Sequence, residues 1–160
     1  MKEISHVDFK GKIKMVDVSE KPVTSRSAKA QGKIWMKKET LNLIEKLEIK
    51  KGDVLAASKI AGIMAAKKTH ELVPLCHPLS ITDIKMEFEL KRKDKNSYII
   101  CFSEVKCDGK TGAEMEALIS TSISLLTIYD MCKGIDKDMT IGDIMLIEKS
   151  GGKSGEWKRK

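Results

Sequence analysis

Two runs decide how this chain folds: Ile84-Lys85-Met86-Glu87-Phe88-Glu89-Leu90 and Tyr98-Ile99-Ile100-Cys101-Phe102-Ser103-Glu104-Val105. In the first, apolar side chains alternate with charged ones, the period-2 signature of a strand with one buried face. The second is rich in β-branched and aromatic residues, which suit a pleated surface. Asp94-Lys95-Asn96 lies between them and carries turn-forming types. The pair therefore reads as a β-hairpin.

Upstream of the hairpin, Pro74 and Pro78 bracket Leu75-Cys76-His77. Proline fixes its own φ and restricts the residue before it, so a short, stiff, irregular segment is expected. Before it, an Ala-rich helix is expected over about 54–69, with Asp53 as its N-cap. Gly62 sits in its middle at a cost of about 1 kcal/mol relative to Ala, which points to another backbone approaching closely. Apolar residues recur at three and four over 39–47, predicting a further helix, interrupted by Lys51-Gly52-Asp53. Ile34-Trp35-Met36 marks a first strand within 25–37.

Downstream, Thr111-Gly112-Ala113-Glu114 opens a long helix that runs to about Lys133 and stops at Gly134. Ile141 to Ile147 is a last strand. The order is strand, helix, helix, strand, strand, helix, strand. This predicts an α+β fold of the ferredoxin-like kind, an antiparallel sheet with helices packed on one face. The expected organisation is a flexible arm over 1–24, a single α+β domain over 25–149, and a flexible Gly/Lys-rich tail over 150–160.

A chain of 160 residues fits one domain with a real core, and its 41% apolar content argues against disorder throughout. Thirty Lys and Arg against 23 Asp and Glu leave a net charge of +7, which attracts phosphates of any kind. Cys76, Cys101, Cys107 and Cys132 show no C-x-x-C spacing, so no metal site is expected. No apolar run suits a leader or a membrane span, and with free thiols this predicts a cytoplasmic protein.

The long helix sorts its own residues. With Glu116 at zero and about 100° per residue, Ser120, Ile123, Thr127 and Asp130 form a mostly polar stripe. Leu118, Ser122, Leu125, Leu126, Tyr129 and Cys132 cluster opposite and read as the core face. Glu114 lies off that stripe and completes Thr111-x-x-Glu114, a capping box, so it reads as structural. Glu116 and Asp130 are 14 residues apart, or about 21 Å along the axis. They serve one reaction only across a long ligand or between two chains. Asp130 and Lys133, three apart on a helix, are either an exposed ion pair or an acid and a base tuning each other.

Several blocks together resemble the cyclic pyranopterin monophosphate synthase family (molybdenum cofactor biosynthesis protein C). They include Met15-Val16-Asp17-Val18-Ser19, Lys51-Gly52-Asp53-Val54, Ile60-Ala61-Gly62-Ile63, Leu75-Cys76-His77-Pro78-Leu79 and Lys110-Thr111-Gly112-Ala113-Glu114-Met115-Glu116-Ala117. Leu126-Thr127-Ile128-Tyr129-Asp130-Met131-Cys132-Lys133 and Lys149-Ser150-Gly151-Gly152-Lys153-Ser154-Gly155 complete the series. They run in family order from about residue 15 to the end. The resemblance implies conversion of (8S)-3′,8-cyclo-7,8-dihydroguanosine 5′-triphosphate to cyclic pyranopterin monophosphate and diphosphate. It also implies a homohexamer, a trimer of dimers, with sites between subunits.

On that resemblance Asp130 and Lys133 are expected to carry acid–base work, Lys51 to donate a proton in ring opening, and His77 to bind or shuttle protons. Leu75, Cys76 and His77, with Met115 and Glu116, are expected to cradle the base-derived part; a Glu116 carboxylate can accept from its N–H edge. Arg26, Lys149 and Lys153 are the expected triphosphate cations. Gly152-Lys153-Ser154 is not the end of a P-loop, because the required earlier Gly is Ile147. No cofactor is implied beyond magnesium carried with the triphosphate. A rival reading as an RNA-binding module fails on Ser97-Tyr98-Ile99-Ile100-Cys101-Phe102, which lacks the Gly-rich aromatic signature of such platforms. A non-catalytic assembly protein would leave His77 and Lys133 without a role.

Overall fold

The computed structural model describes residues 11–93, 97–153 and 155–160. The expected Asp94-Lys95-Asn96 turn and the first ten residues of the arm lie outside them. In chain order the elements are β1 (Thr24–Met36), α1 (Lys38–Glu45), α2 (Val54–Lys67), α3 (Thr69–Leu72), β2 (Ser80–Lys91), β3 (Ser97–Gly109), α4 (Glu114–Cys132), β4 (Thr140–Ser150) and β5 (Trp157–Lys158). The sheet order is β2-β3-β1-β4-β5 with every pairing antiparallel. The first four strands thus have the ferredoxin-like arrangement the sequence predicts. The short α3 and β5 are additions to the predicted order.

β1 and β3 are the central strands and pair along their whole length, Thr24 opposite Gly109 and Met36 opposite Ser97. Their residues alternate, burying Ala28, Ala30 and Ile34 in β1 and Ile99, Cys101, Val105 and Cys107 in β3. Leu125, Ile128 and Cys132 of α4 and Leu41 and Ile44 of α1 complete the main core. All four cysteines are free thiols, and Cys101, Cys107 and Cys132 are buried.

Asp53 caps α2 as expected, its Oδ1 accepting from the Ala56 backbone N–H at 3.0 Å. Gly62 is where α2 crosses α4: a Cβ there would lie 2.5 Å from the Met86 sulfur and 2.9 Å from the Ser120 carbonyl oxygen. Backbone cannot yield as a side-chain tip can. Gly62→Ala is therefore expected to destabilise the protein by about 1–3 kcal/mol despite the better helix propensity of Ala, measurable by urea unfolding.

The buried face of α4 differs from the sequence reading. Glu116, Ala117, Ser120, Thr121, Ser124, Leu125, Ile128 and Cys132 are buried, while Leu126 is exposed. The buried arc starts on the supposed polar stripe, at Glu116 and Ser120, and reaches round to Leu125. Two neighbours cause this. The sheet takes Ala117 and Thr121, with Ser103 Oγ donating to the Ala117 carbonyl at 2.7 Å and lying 2.8 Å from Thr121 Oγ1. α2 crosses at Ser120, whose carbonyl oxygen lies against Gly62, while its hydroxyl donates to the Met86 sulfur of β2 at 3.5 Å. Small side chains allow both contacts, because they admit a second helix close to the backbone, and the Thr121 and Ser120 hydroxyls find partners there.

The Thr111–Glu114 capping box does not form. Ala113 is the N-cap of α4, with no side-chain hydrogen bond. The Glu114 carboxylate instead accepts from Lys149 Nζ at 2.9 Å, reaching across to β4.

Candidate active site

The stiff segment between Pro74 and Pro78 runs past the N-terminal end of α4, and together they form a cavity of about 620 Å³. Leu75, Cys76, His77, Met115 and Glu116 all line it, so the structure brings together the five residues expected to hold a base. Val16 and Val18 of the arm close one wall, held by an Asp17 carboxylate that accepts from the Ser19 N–H at 2.8 Å and its hydroxyl at 2.7 Å.

A second cavity of about 530 Å³ adjoins the first, sharing Lys21, Thr111, Gly112 and Glu114 with it. Its wall is cationic: Arg26, Lys110, Lys153 and Lys21. The Arg26 guanidinium is held from behind, donating from Nε to the Gly109 carbonyl at 3.0 Å and from Nη2 to the Lys110 carbonyl at 3.3 Å. Gly151 and Gly152, at φ +90° and +71°, wrap against the same side chain, and any Cβ at Gly152 would collide with the guanidinium. This turn requires the left-handed region and close approach at once, the two things glycine permits. Lys153 lies on this wall, whereas Lys149 lines neither cavity and is engaged by Glu114, which lines both. Sequence reasoning missed Lys21 and Lys110 as wall cations. Lys110 stood inside a recognised block, but Lys21 lies in the arm with no pattern to mark it.

Glu116 is only 4% exposed, yet it lines the apolar cavity. Burial is the main force on its carboxyl, with the neighbouring charge of Glu114 adding to it against a lowering from its own backbone N–H; the result is a pKa raised to about 7. Unfolded, the group ionises near its ordinary 4.5. The folded protein thus holds a proton that the unfolded chain has released, and stability is lost as pH rises through about 7. Glu116→Gln removes this titration. Relative to the unsubstituted protein it is expected to gain up to about 3 kcal/mol at about pH 9 and nothing at about pH 4.5, read from urea midpoints.

A second cluster sits at the other end of α4. Asp130 accepts from Lys51 Nζ at 2.9 Å and from Lys133 Nζ at 2.7 Å, and Lys51 also donates to the Asp130 carbonyl at 2.7 Å. The hydrogen bond from Lys133, then that from Lys51, lowers the Asp130 carboxyl pKa to about 2. Asp130 in turn raises that of Lys133. The sequence offered Asp130–Lys133 as a pair; the loop after α1 adds Lys51 to make a triad. The three side chains are half exposed or more, and ion pairs at such positions add little stability.

One helix therefore carries two different chemical surfaces, a largely apolar cavity at its start and a charged triad at its end. A family model described as the MoaC family matches residues 15–152. The chain belongs to the MoaC family. Relatives called cyclic pyranopterin monophosphate synthase match it almost end to end. That of Parvibaculum lavamentivorans is 53% identical over 159 residues, covering 99% of this chain and 98% of the relative. That of Thermoanaerobacter pseudethanolicus is 53% identical over 156 residues, 98% of each chain. That of Bacillus thuringiensis subsp. konkukian is 47% identical over 160 residues, all of this chain and 99% of the relative. Both the groove and the triad fall inside the MoaC match. Among the described residues no helix is long and apolar enough to cross a membrane, and no group of three or more His, Cys, Asp or Glu is placed to hold a metal ion.

Proposed function

We propose that this protein is a cyclic pyranopterin monophosphate synthase, a lyase of molybdenum cofactor biosynthesis. The observation that carries the proposal is the Lys51–Asp130–Lys133 triad, assembled from separate parts of a chain that is collinear with named synthases over its whole length. The substrate is (8S)-3′,8-cyclo-7,8-dihydroguanosine 5′-triphosphate. Its purine-derived ring system fits the cavity of Leu75, Cys76, His77, Met115 and Glu116, and its phosphates fit the wall of Arg26 and Lys153.

The reaction opens the five-membered ring, builds a pyranopterin and closes a cyclic phosphate. In the last step a sugar hydroxyl oxygen bonds to the α-phosphorus as the bond from that phosphorus to the departing diphosphate breaks. Each stage moves protons, and Lys133, Lys51 and Asp130 are placed to exchange them, with His77 doing so on the cavity side. Among the described residues no cluster of three or more His, Cys, Asp or Glu is placed to hold a metal ion, so any magnesium would arrive with the triphosphate.

Groove and triad are separated by most of α4, about 21 Å from Glu116 to Asp130, so one chain does not close the site alone. The active unit we propose is a cytoplasmic homohexamer, a trimer of dimers, in which the triad of one subunit completes the groove of another. Ile60 and Met64 of α2 and Leu126 of α4 are more than half exposed and give such an assembly apolar surface to cover. The reading is tested by incubating purified protein with the cyclised triphosphate and measuring diphosphate together with pterin fluorescence after oxidation. Stoichiometric appearance of both is expected; a folded sample yielding neither refutes the activity.

A further inference from the structure

Glu116 stands apart from the other carboxylates around the groove. Glu114, two residues earlier on the same helix, has Lys149 as its cation at 2.9 Å. Asp17 has the Ser19 N–H and hydroxyl. Glu116 is buried, and among the described residues no Lys, Arg or His forms an ion pair with it. Cys76 of the Pro-bracketed segment, Cys107 of β3 and Glu114 of α4 feel its charge, and His77 and the arm's Lys21 line the same cavity without pairing with it. The two thiols are themselves pushed up, by burial first and by Glu116 next, so they are held neutral. The adjoining walls, Val73, Leu75, Leu79 and Met115, are apolar. A carboxylate without a cation in such a place is costly, whereas a carboxylic acid is not.

Protonation changes what the side chain reads. A carboxylate only accepts, so it pairs with two adjacent N–H donors. A carboxylic acid offers one donor beside one acceptor. That pattern is complementary to a lactam edge, where a ring C=O stands next to a ring N–H. We propose that Glu116 meets the substrate as a neutral acid, donating its O–H to the ring carbonyl oxygen and accepting from the adjacent ring N–H of the guanine-derived pyrimidinone. This rests on the synthase reading for the identity of the ring, and it replaces the carboxylate role first expected of Glu116. The helix N-terminus would favour the anion by about 0.3–1 kcal/mol, less than desolvation of an unpaired charge costs.

Gln presents the same donor and acceptor in nearly the same shape, and it does not titrate. Glu116→Gln is thus the decisive variant, with GTP, which carries the lactam edge, as the probe for calorimetry at about pH 6 and about pH 8. The variant is expected to bind GTP within about threefold of the original protein at the lower pH. The original should weaken relative to the variant by about tenfold at the higher pH, because only the neutral fraction binds. Taking the ratio of the two proteins cancels the titration of the triphosphate. In the ligand-free protein the Glu116 carboxyl carbon should titrate with a midpoint near about 7 by NMR.

A flat ratio, an ordinary carboxyl midpoint, or loss of GTP binding in the variant at both pH values overturns the neutral-acid assignment. If the unsubstituted protein still turns over the cyclised triphosphate, the synthase reading survives that failure. If it neither binds GTP nor turns over, ligand class and synthase reading fall together.

Discussion

Replacing Asp130 by Asn is expected to lower turnover by about 10²–10⁴ while leaving the fold and substrate binding in place. The carboxylate stands between two ammonium groups, 2.9 Å from Lys51 and 2.7 Å from Lys133. It positions both and raises the proton affinity of Lys133. Asn keeps the volume but removes the charge, so the ammonium groups lose their common anchor and repel each other. Stability should barely change, because all three groups are exposed. Steady-state kinetics beside a thermal melt separate the effects. A variant that melts normally and turns over normally would show that the triad is only a surface ion pair.

The second large effect belongs to Lys51. Lys51→Met keeps the aliphatic stem and deletes the ammonium, which donates to both the carboxylate and the carbonyl of Asp130. Turnover is expected to fall by about 10²–10⁴, as for other lost general acids, with KM little altered because the groove is untouched. A second readout is independent of substrate. With one of its two cations gone, the Asp130 carboxyl should titrate above its pKa of about 2, visible by NMR. The native pair keeps Asp130 ionised until about pH 2, and the variant should protonate it at a higher pH. Loss of activity without that shift would mean Lys51 acts on substrate alone and not through Asp130.

The elements that were legible in the sequence are those whose signal is local. The hairpin announced itself by alternation, α2 by Asp53 at its start, and a close approach to α2 by Gly62, although its small residues pointed to a sheet or a symmetry mate and the neighbour at Gly62 is α4. Asp130 and Lys133 share a helix face by spacing alone. What was hidden depends on contacts between distant segments. The buried face of α4 was misplaced because hydrophobicity pointed to Leu118, Leu126 and Tyr129, while packing selected Ser120, Ser124 and Ala117, the residues small enough to admit α2 and the sheet. Glu114 matched a local capping pattern, but Lys149 on β4 offered a charged partner that capping could not outweigh. The addition of Lys51 to the triad, and of Lys21 and Lys110 to the cationic wall, depends on the loop after α1 folding against the end of α4 and the arm folding against its start. No periodicity encodes that.

The central claim, that groove and triad are halves of one site shared between subunits, is tested most directly by mixing two inactive variants. Asp130→Asn disables the triad and His77→Ala the groove. After unfolding and refolding together in equal amounts, with mixed oligomers confirmed by native mass spectrometry, half of the dimers should pair one variant with the other. Each such dimer has one site with both defects and one with neither, so activity should return to about a quarter of that of the unsubstituted protein. Mixed oligomers that stay as inactive as either parent would contradict the shared site and place the whole reaction within one chain.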